Sequence, residues 1–223
     1  MVEPSFTIVD IQEALNCPLP GIAGQIKMAP ERPAGQPNRW DMPEQCRQAS
    51  VLLLLYPHSS GPDLHLILTR RPDYPGVHGG QISFPGGQRE GEESLRSTAL
   101  RETNEEIGVS PDKLSIVGHL SPLYIPPSNY CIYPFVAYSP TPPTFRPNSE
   151  EVAEIIETPL RHFLNPSVRK EAVWYFHNYG ERFVPFFDVF GHRVWGATAM
   201  ILSEFLTLLD CIQHRDEVQG QGT

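Results

Sequence analysis

The stretch REGEESLRSTALRETNEEIGV, from Arg89 to Val109, decides the fold of this chain and most of its chemistry. Its pattern predicts a helix over residues 92–107. Gly108 follows directly, and glycine is the residue most favoured just past a helix C-terminus. The face that we expect to pack against a sheet carries apolar or small residues at helical spacing: Leu95, Ala99, Thr103 and Ile107.

Three carboxylates, Glu102, Glu105 and Glu106, lie beside that face. Like charges at such spacing destabilise a helix, so they indicate either a solvated, salt-bridged surface or a bound cation. Mg²⁺ and Mn²⁺ bind carboxylate oxygens without needing histidine or cysteine, and Mg²⁺ shares its shell with substrate phosphates. Arg101 precedes Glu105 by four residues and is placed to hold it by an ion pair. We expect Glu106 at an exposed edge of the core.

A glycine turn, FPGG at residues 84–87, stands just before this helix. Glycine permits close approach of the backbone, so a carbonyl in this turn is a further candidate metal ligand. The turn and the helix together form one long pattern with fixed spacing, which a merely solvated surface does not require. Its members are Gly87, Glu93, Arg101, Glu102, Glu105, Glu106 and Gly108.

This pattern resembles the Nudix box, the signature of hydrolases that cut a nucleoside diphosphate linked to another moiety. The resemblance implies the α+β Nudix fold, a mixed β-sheet sandwiched between α-helices. It implies metal roles for the Gly87 carbonyl, Glu102, Glu105 and Glu106, and supporting roles for Glu93 and Arg101. Thr103 is the loose match, because the family usually has a small or aliphatic residue there.

The general base is left open by the sequence. Glu105 is the favoured candidate, but some Nudix enzymes take the base from a loop. Glu150, Glu151 and Glu154 follow the proline-rich segment and are the alternatives. We therefore expect the catalytic residues to be Glu102, Glu105 and Glu106, with Arg101 holding them.

The segment ILTRRPDYPGVHGGQISFPGG, from Ile67 to Gly87, resembles the extended motif of the coenzyme A pyrophosphatase branch. That likeness implies hydrolysis of coenzyme A or acyl-coenzyme A to 3',5'-ADP and 4'-phosphopantetheine or its acyl form. Pro72 and Gly76 depart from the branch, which usually has Ser or Ala and an Arg at these positions. The candidate substrate-binding residues are Arg70, Arg71, His78, Gln81 and Ser83.

Two alternatives stay open. The Gly76 departure favours another nucleoside diphosphate derivative, such as NADH or ADP-ribose, as the substrate. A protein of another class, a catalytically silent Nudix-like binding module, would be expected to lose a metal carboxylate or its arginine. Glu93, Arg101 and all three glutamates of the helix are present.

The rest of the chain predicts one domain with an appendage. Residues 1–45 form an N-terminal helix and linker, residues 46–215 the Nudix domain, and residues 216–223 a tail. Strands are expected in SVLLLLYP, DLHLILTRR, QISF, LSIVGHL, YCIYPFVAYS, EVAEIIE, AVWYFHNY and RFVPFFDVF, with a short helix in PLRHFLN and a closing helix in GATAMILSEFLTLLDCIQH.

The composition of the chain limits the kinds of partner that we expect it to bind. The 223-residue chain has a net charge of -9 and no run of Lys or Arg longer than a pair, so we expect no nucleic-acid polymer as a partner. The apolar run VLLLLY is too short to span a bilayer, which favours a cytoplasmic protein with no membrane association. The expected partner is a small-molecule nucleoside diphosphate, and the N-terminal segment also admits a homodimer.

The four cysteines, Cys17, Cys46, Cys131 and Cys211, are far apart and form no CxxC pair. This spacing argues against a zinc knuckle and against a disulfide framework. We therefore expect reduced, mostly packed thiols.

Overall fold

A computed structural model describes residues 6–31, 35, 37–59, 61, 63–74, 79–176 and 180–220, with side chains to residue 212. The helices are α1 Ile8–Leu15, α2 Ile22–Gln25, α3 Leu95–Ile107 and α4 Gly196–Gly220. The strands are β1 Arg47–Pro57, β2 Leu64–Arg70, β3 Ile82–Ser83, β4 Gly86–Gln88, β5 Ser115–His119, β6 Leu123–Ile125, β7 Tyr130–Tyr138, β8 Glu154–Pro159, β9 Arg169–Phe176, β10 Gly180–Val189 and β11 His192–Trp195.

Eight of these strands form one mixed sheet in which β1 is central. The main path runs β3-β2-β1-β7-β5, while β4, β6 and β8 pair with β1, β7 and β2. β1 and β2, both predicted as strands, pair antiparallel, whereas β1 and β7 run parallel along nine aligned residue pairs from Arg47–Tyr130 to Leu55–Tyr138. The sheet is therefore both parallel and antiparallel, as the predicted fold requires.

The leucine run of β1 is apolar on both faces because both faces of the sheet are covered. Leu53 and Leu55 join the core formed with α1 and α4. Leu52, Leu54 and Tyr56 join the core formed with α3. The predicted α+β fold, a mixed sheet sandwiched between helices, is confirmed.

A second sheet has three antiparallel strands in the order β11-β10-β9. Phe187 and Val189 of β10 pack into the α4 side of the core. The sequence predicted β9 and β10 but not β11, which is only four residues long. The closing helix was predicted correctly, and it continues through Gly220, into the segment expected to be a tail. None of the described helices is long and apolar enough to cross a membrane.

The N-terminal segment is more ordered than a linker. α1 begins after Thr7, whose hydroxyl accepts a hydrogen bond from the backbone N–H of Asp10. α2 then packs against α4, where the buried carboxylate of Glu204 accepts hydrogen bonds from Gln25 Nε2 (2.8 Å) and from the backbone N–H of Gly21 (3.1 Å). Residues 8–28 thus cover one side of the closing helix.

The expectation of four reduced cysteines is wrong for two of them. Cys46 and Cys131 form a disulfide with a Cα–Cα distance of 5.7 Å, within the usual range for this bond. The parallel pairing of β1 with β7 places Arg47 opposite Tyr130, so the neighbouring cysteines meet at the same edge. The two residues are separated by 85 positions, and no local pattern could have indicated the pair.

Candidate active site

The helix α3 has sequence-encoded ends. Ser94 Oγ accepts a hydrogen bond from the backbone N–H of Ser97 at 3.1 Å, and Gly108 takes the left-handed conformation with φ 71°. Ala99, Thr103 and Ile107 are buried against the sheet. Thr103 Oγ1 donates to the carbonyl of Ala99 at 2.7 Å, so the loose position of the box carries no unsatisfied hydroxyl.

Arg101 is the centre of an ion-pair network. Its guanidinium contacts both carboxylate oxygens of Glu93, at 2.8 and 3.2 Å. It also contacts Glu102 at 2.9 Å and Glu105 at 2.8 Å, which confirms the predicted pair with Glu105. The hydrogen bonds from Arg101 and from the backbone N–H of Glu90 lower the pKa of Glu93 to about 2. Arg101 therefore fixes the orientation of two candidate metal ligands.

Glu102 lies directly against the glycine turn. A Cβ added to Gly87 would lie 2.4 Å from a carboxylate oxygen of Glu102, closer than van der Waals contact permits. Burial raises the pKa of Glu102, and the charge of Arg101 opposes that rise. A side chain at residue 87 would therefore displace this carboxylate from its position beside the turn.

Glu106 is not the exposed-edge carboxylate that the sequence suggested. Only 5% of it is exposed, and it accepts a hydrogen bond from the backbone N–H of Gly86 at 3.3 Å. Burial raises its pKa to about 7, against the opposing charge of Arg71 and the Gly86 hydrogen bond. A distant segment lies against this residue, because the N–H of Asn148 donates to the carbonyl of Glu106 at 2.8 Å.

Glu105 differs from Glu102 and Glu106 in its exposure, because 49% of its side chain is exposed. Among the described residues, no group of three His, Cys, Asp or Glu side chains is arranged to hold a metal ion. Glu102 and Glu105 are both bound by Arg101. The carboxylates of Glu102 and Glu106 lie on the side of α3 that faces Gly86 and Gly87.

The two predicted substrate arginines are in different environments. Arg70 pairs with Asp73 at 3.1 Å and with Glu154 at 3.2 Å. Arg71 lies close enough to Glu106 for its charge to oppose the rise of that pKa. Arg71 is thus the one that faces the carboxylates.

Ser83 lies on β3, the strand next to β2, and Gln81 directly precedes that strand. The backbone N–H of Arg71 donates to the carbonyl of Gln81 at 3.0 Å, and Thr69 Oγ1 donates to the carbonyl of Ser83 at 3.3 Å. These bonds bring Gln81 and Ser83 to the same edge as Arg71. His78 and Gly76 lie outside the described residues.

Gln88 was not singled out by the sequence, yet it links the turn to the helix. Its carbonyl accepts a hydrogen bond from Arg101 at 3.1 Å, and its side chain accepts one from Tyr130 Oη at 2.6 Å. Glu151, an alternative base, is also near, since its charge contributes to the raised pKa of both Glu102 and Glu106. Only strand pairing and loop placement bring these residues together.

Comparison with known proteins identifies related chains. The NUDIX domain profile matches residues 47–176. NudL, an uncharacterized Nudix hydrolase of Yersinia pestis (strain Pestoides F), is 35% identical over 170 residues, covering 70% of this chain and 76% of that protein. NudL of Yersinia pseudotuberculosis (serotype O:1b, strain IP 31758) matches equally. The crystal structure of RenU, a Nudix hydrolase from M. smegmatis, shares the fold at a TM-score of 0.51 and 16% identity, covering 75% of this chain and 86% of that one.

Proposed function

Because this chain belongs to the Nudix hydrolase family, we propose that it hydrolyses the pyrophosphate bond of coenzyme A or an acyl-coenzyme A. The products are 3',5'-ADP and 4'-phosphopantetheine or its acyl form. The chain is a pyrophosphohydrolase. Membership of the family also implies that its substrate is a nucleoside diphosphate derivative. The retained Glu93, Arg101 and three helix glutamates favour an enzyme over a silent binding module.

The choice of coenzyme A rests on one observation, the motif from Ile67 to Gly87. Its two ends are joined by hydrogen bonds from Thr69 to Ser83 and from Arg71 to Gln81, and Arg71 lies near Glu106. A guanidinium suits a phosphate because it donates two parallel hydrogen bonds. We propose that Arg71 contacts a phosphate of the substrate, in a chain where Gly76 replaces the arginine usual in the branch.

Nudix enzymes generally use divalent metal ions, and the residues of this site fit one. The donor set is all oxygen, which suits Mg²⁺ or Mn²⁺. The closely packed Gly87–Glu102 contact leaves the Gly87 backbone next to a carboxylate. We propose that Glu102, Glu105, Glu106 and the carbonyl of Gly87 hold the ion. When bound, the ion neutralises the phosphate oxygens and lowers the pKa of the attacking water.

The protein's own groups then perform the remaining work. Arg71 holds the phosphate, while Arg101 and Glu93 hold the carboxylates in register. We propose that Glu105 accepts the proton as the water oxygen attacks phosphorus and the bridging oxygen leaves, because Glu105 is the most exposed glutamate of the three. Glu151 is the alternative base, since its charge also reaches Glu102 and Glu106.

The test is a substrate panel with separated products. The purified chain is incubated with Mg²⁺ or Mn²⁺ and with coenzyme A, acyl-coenzyme A, NADH, ADP-ribose or a dinucleoside polyphosphate. We expect 3',5'-ADP from coenzyme A or its acyl form, with the highest kcat/KM of the panel. A higher kcat/KM for NADH or ADP-ribose would reject coenzyme A and retain the reaction class. The matched control is Glu106→Gln, which should abolish turnover of every substrate.

A further inference from the structure

An aromatic cluster lies on one face of the three-stranded sheet, outside the residues assigned above. We call Trp174, Phe176 and Trp195 the tryptophan cluster. The ring centroids of Trp174 and Trp195 are 4.7 Å apart, and those of Phe176 and Trp195 are 6.0 Å apart. All three side chains are only partly buried. The cluster therefore presents aromatic surface to solvent on the face opposite the α4 core.

Two arginines adjoin this cluster. Arg182 is paired with Trp174 across β9 and β10. The guanidinium of Arg193 lies 5.8 Å from the Trp174 ring and 5.3 Å from the Phe186 ring. Within the described part of the chain, neither arginine forms an ion pair. In a protein of net charge -9, two such cations on an aromatic surface favour an anionic ligand.

Two hydrogen-bond donors, one in the tryptophan cluster and one beside it, have no acceptor. Trp174 Nε1 and Arg182 Nε are both buried, and neither has a partner among the described residues. Buried donors are normally satisfied, and an exception calls for a ligand, an ion or a water molecule. Trp174 and Arg182 lie opposite each other on neighbouring strands, and both unsatisfied groups are donors. They therefore suit a ligand that has an aromatic ring with hydrogen-bond acceptors next to it.

β11, the strand that carries Trp195, lies beside β3 of the large sheet. The Cα atoms of β11 and β3 approach within 8 Å, and Trp195 is followed at once by α4. Thr198 Oγ1 of α4 donates to the carbonyl of Ile82 at 3.1 Å. His192 of β11 contacts Glu154, which in turn pairs with Arg70. These contacts join β11 and the start of α4 to the segment that carries Gln81 and Ser83.

We propose that the tryptophan cluster and Arg182 bind the nucleotide end of the substrate, with the adenine stacked on Trp174 and the 3'-phosphate held by Arg182. The proposal rests on the proposed function, which supplies an adenosine 3'-phosphate. An aromatic base stacks on tryptophan with little regard to its identity. A phosphate is the acceptor that a guanidinium binds most strongly. The subsite distinguishes coenzyme A from diphosphates that lack a 3'-phosphate.

The experiment measures the binding of 3',5'-ADP and 5'-AMP by calorimetry, with EDTA present so that turnover plays no part. The variants are Trp174→Leu and Arg182→Gln. The matched control is Tyr175→Leu, because Tyr175 is 75% exposed on the opposite face of the same strand. Trp174→Phe keeps an aromatic ring, so it separates the loss of stacking from a general loss of structure. Thermal melting of each variant checks folding.

We expect Trp174→Leu to weaken both ligands about tenfold through lost stacking, and Trp174→Phe to restore most of that affinity. Arg182→Gln should weaken 3',5'-ADP about tenfold and 5'-AMP by less than about twofold, because only the former has the 3'-phosphate. Tyr175→Leu should match the wild type. Equal affinity of Arg182→Gln and the wild type for 3',5'-ADP would overturn the proposal, as would a wild type that binds neither nucleotide.

The same variants separate this proposal from the proposed reaction. Coenzyme A hydrolysis is measured in parallel for each protein. If the expected losses of 3',5'-ADP affinity occur but the wild type does not hydrolyse coenzyme A, the subsite is supported and the proposed substrate fails. If coenzyme A is hydrolysed and both variants bind 3',5'-ADP like the wild type, the reaction is supported and the subsite is refuted.

Discussion

Replacing the buried Glu106 with glutamine should stabilise the metal-free protein while abolishing its activity. The carboxylate is 5% exposed, and its pKa is raised from 4.5 to about 7, mainly by burial. A raised acid pKa means that the folded state binds the proton more tightly than the unfolded state. The contribution of Glu106 to the free energy of unfolding is therefore fully present below about pH 4.5 and is lost as the pH rises through about 7.

The magnitude follows from the pKa difference between the two states. The difference between 4.5 and about 7 corresponds to about 3.5 kcal/mol at high pH, because a tenfold change in proton affinity is worth about 1.4 kcal/mol. The same relation gives a cost of about 1 kcal/mol at about pH 5. The glutamine variant does not ionise and keeps an oxygen for the N–H of Gly86. Its advantage over the wild type should therefore grow by about 2.5 kcal/mol between about pH 5 and about pH 8.

The assay is chemical denaturation of both proteins in EDTA at these two pH values. The matched control is Glu92→Gln, the same chemical change at an exposed position before the helix. It should change the free energy of unfolding by less than about 0.5 kcal/mol. Saturating Mg²⁺ should then stabilise the wild type and leave Glu106→Gln unchanged. An advantage of Glu106→Gln that does not change between the two pH values would refute the burial argument.

The remaining predictions concern the turn, the substrate arginine and the disulfide. Gly87→Ala should lower kcat about a hundredfold, because its Cβ would displace the Glu102 carboxylate and small misplacements are costly in catalysis; unchanged kcat would show that this contact is not needed. Arg71→Ala should raise the KM for coenzyme A about tenfold with little change in kcat, as for a contact made equally in the ground and transition states; an equal fall in kcat and kcat/KM would place Arg71 at the reacting phosphorus. Cys46→Ser should cost about 2–4 kcal/mol in the free energy of unfolding under non-reducing conditions; a reducing agent should destabilise the wild type by a similar amount and leave the variant unaffected.

The local features of the site were readable from the sequence because they depend on short spacing. The helix, its glycine end and the Arg101–Glu105 pair follow from positions within one or two helical turns. The leucine run of β1 predicted a buried strand for the same reason, and both faces of that strand are covered.

What the sequence missed depends on segments that meet only in the folded chain. The segment that contains Asn148 lies against Glu106, and a helical wheel of α3 contains no information about that segment. The Cys46–Cys131 bond needs the parallel register of β1 and β7. The short strands β4 and β6 have no periodic pattern long enough to recognise, and they are defined only by pairing with β1 and β7.

The position of β1 in the sheet has a consequence for the order of folding. Its antiparallel partners β2 and β4, and the helix α3 that packs on it, all come from the next part of the chain up to Ile107. Its parallel partner β7 comes later, and contacts distant in sequence form more slowly because more chain must be closed into a loop. We expect the glycine turn and the carboxylate helix to associate first and the central parallel pairing to complete the sheet. Once residues 47–107 have emerged from the ribosome, the nascent chain therefore already contains the elements that carry Gly87, Arg101 and the three glutamates.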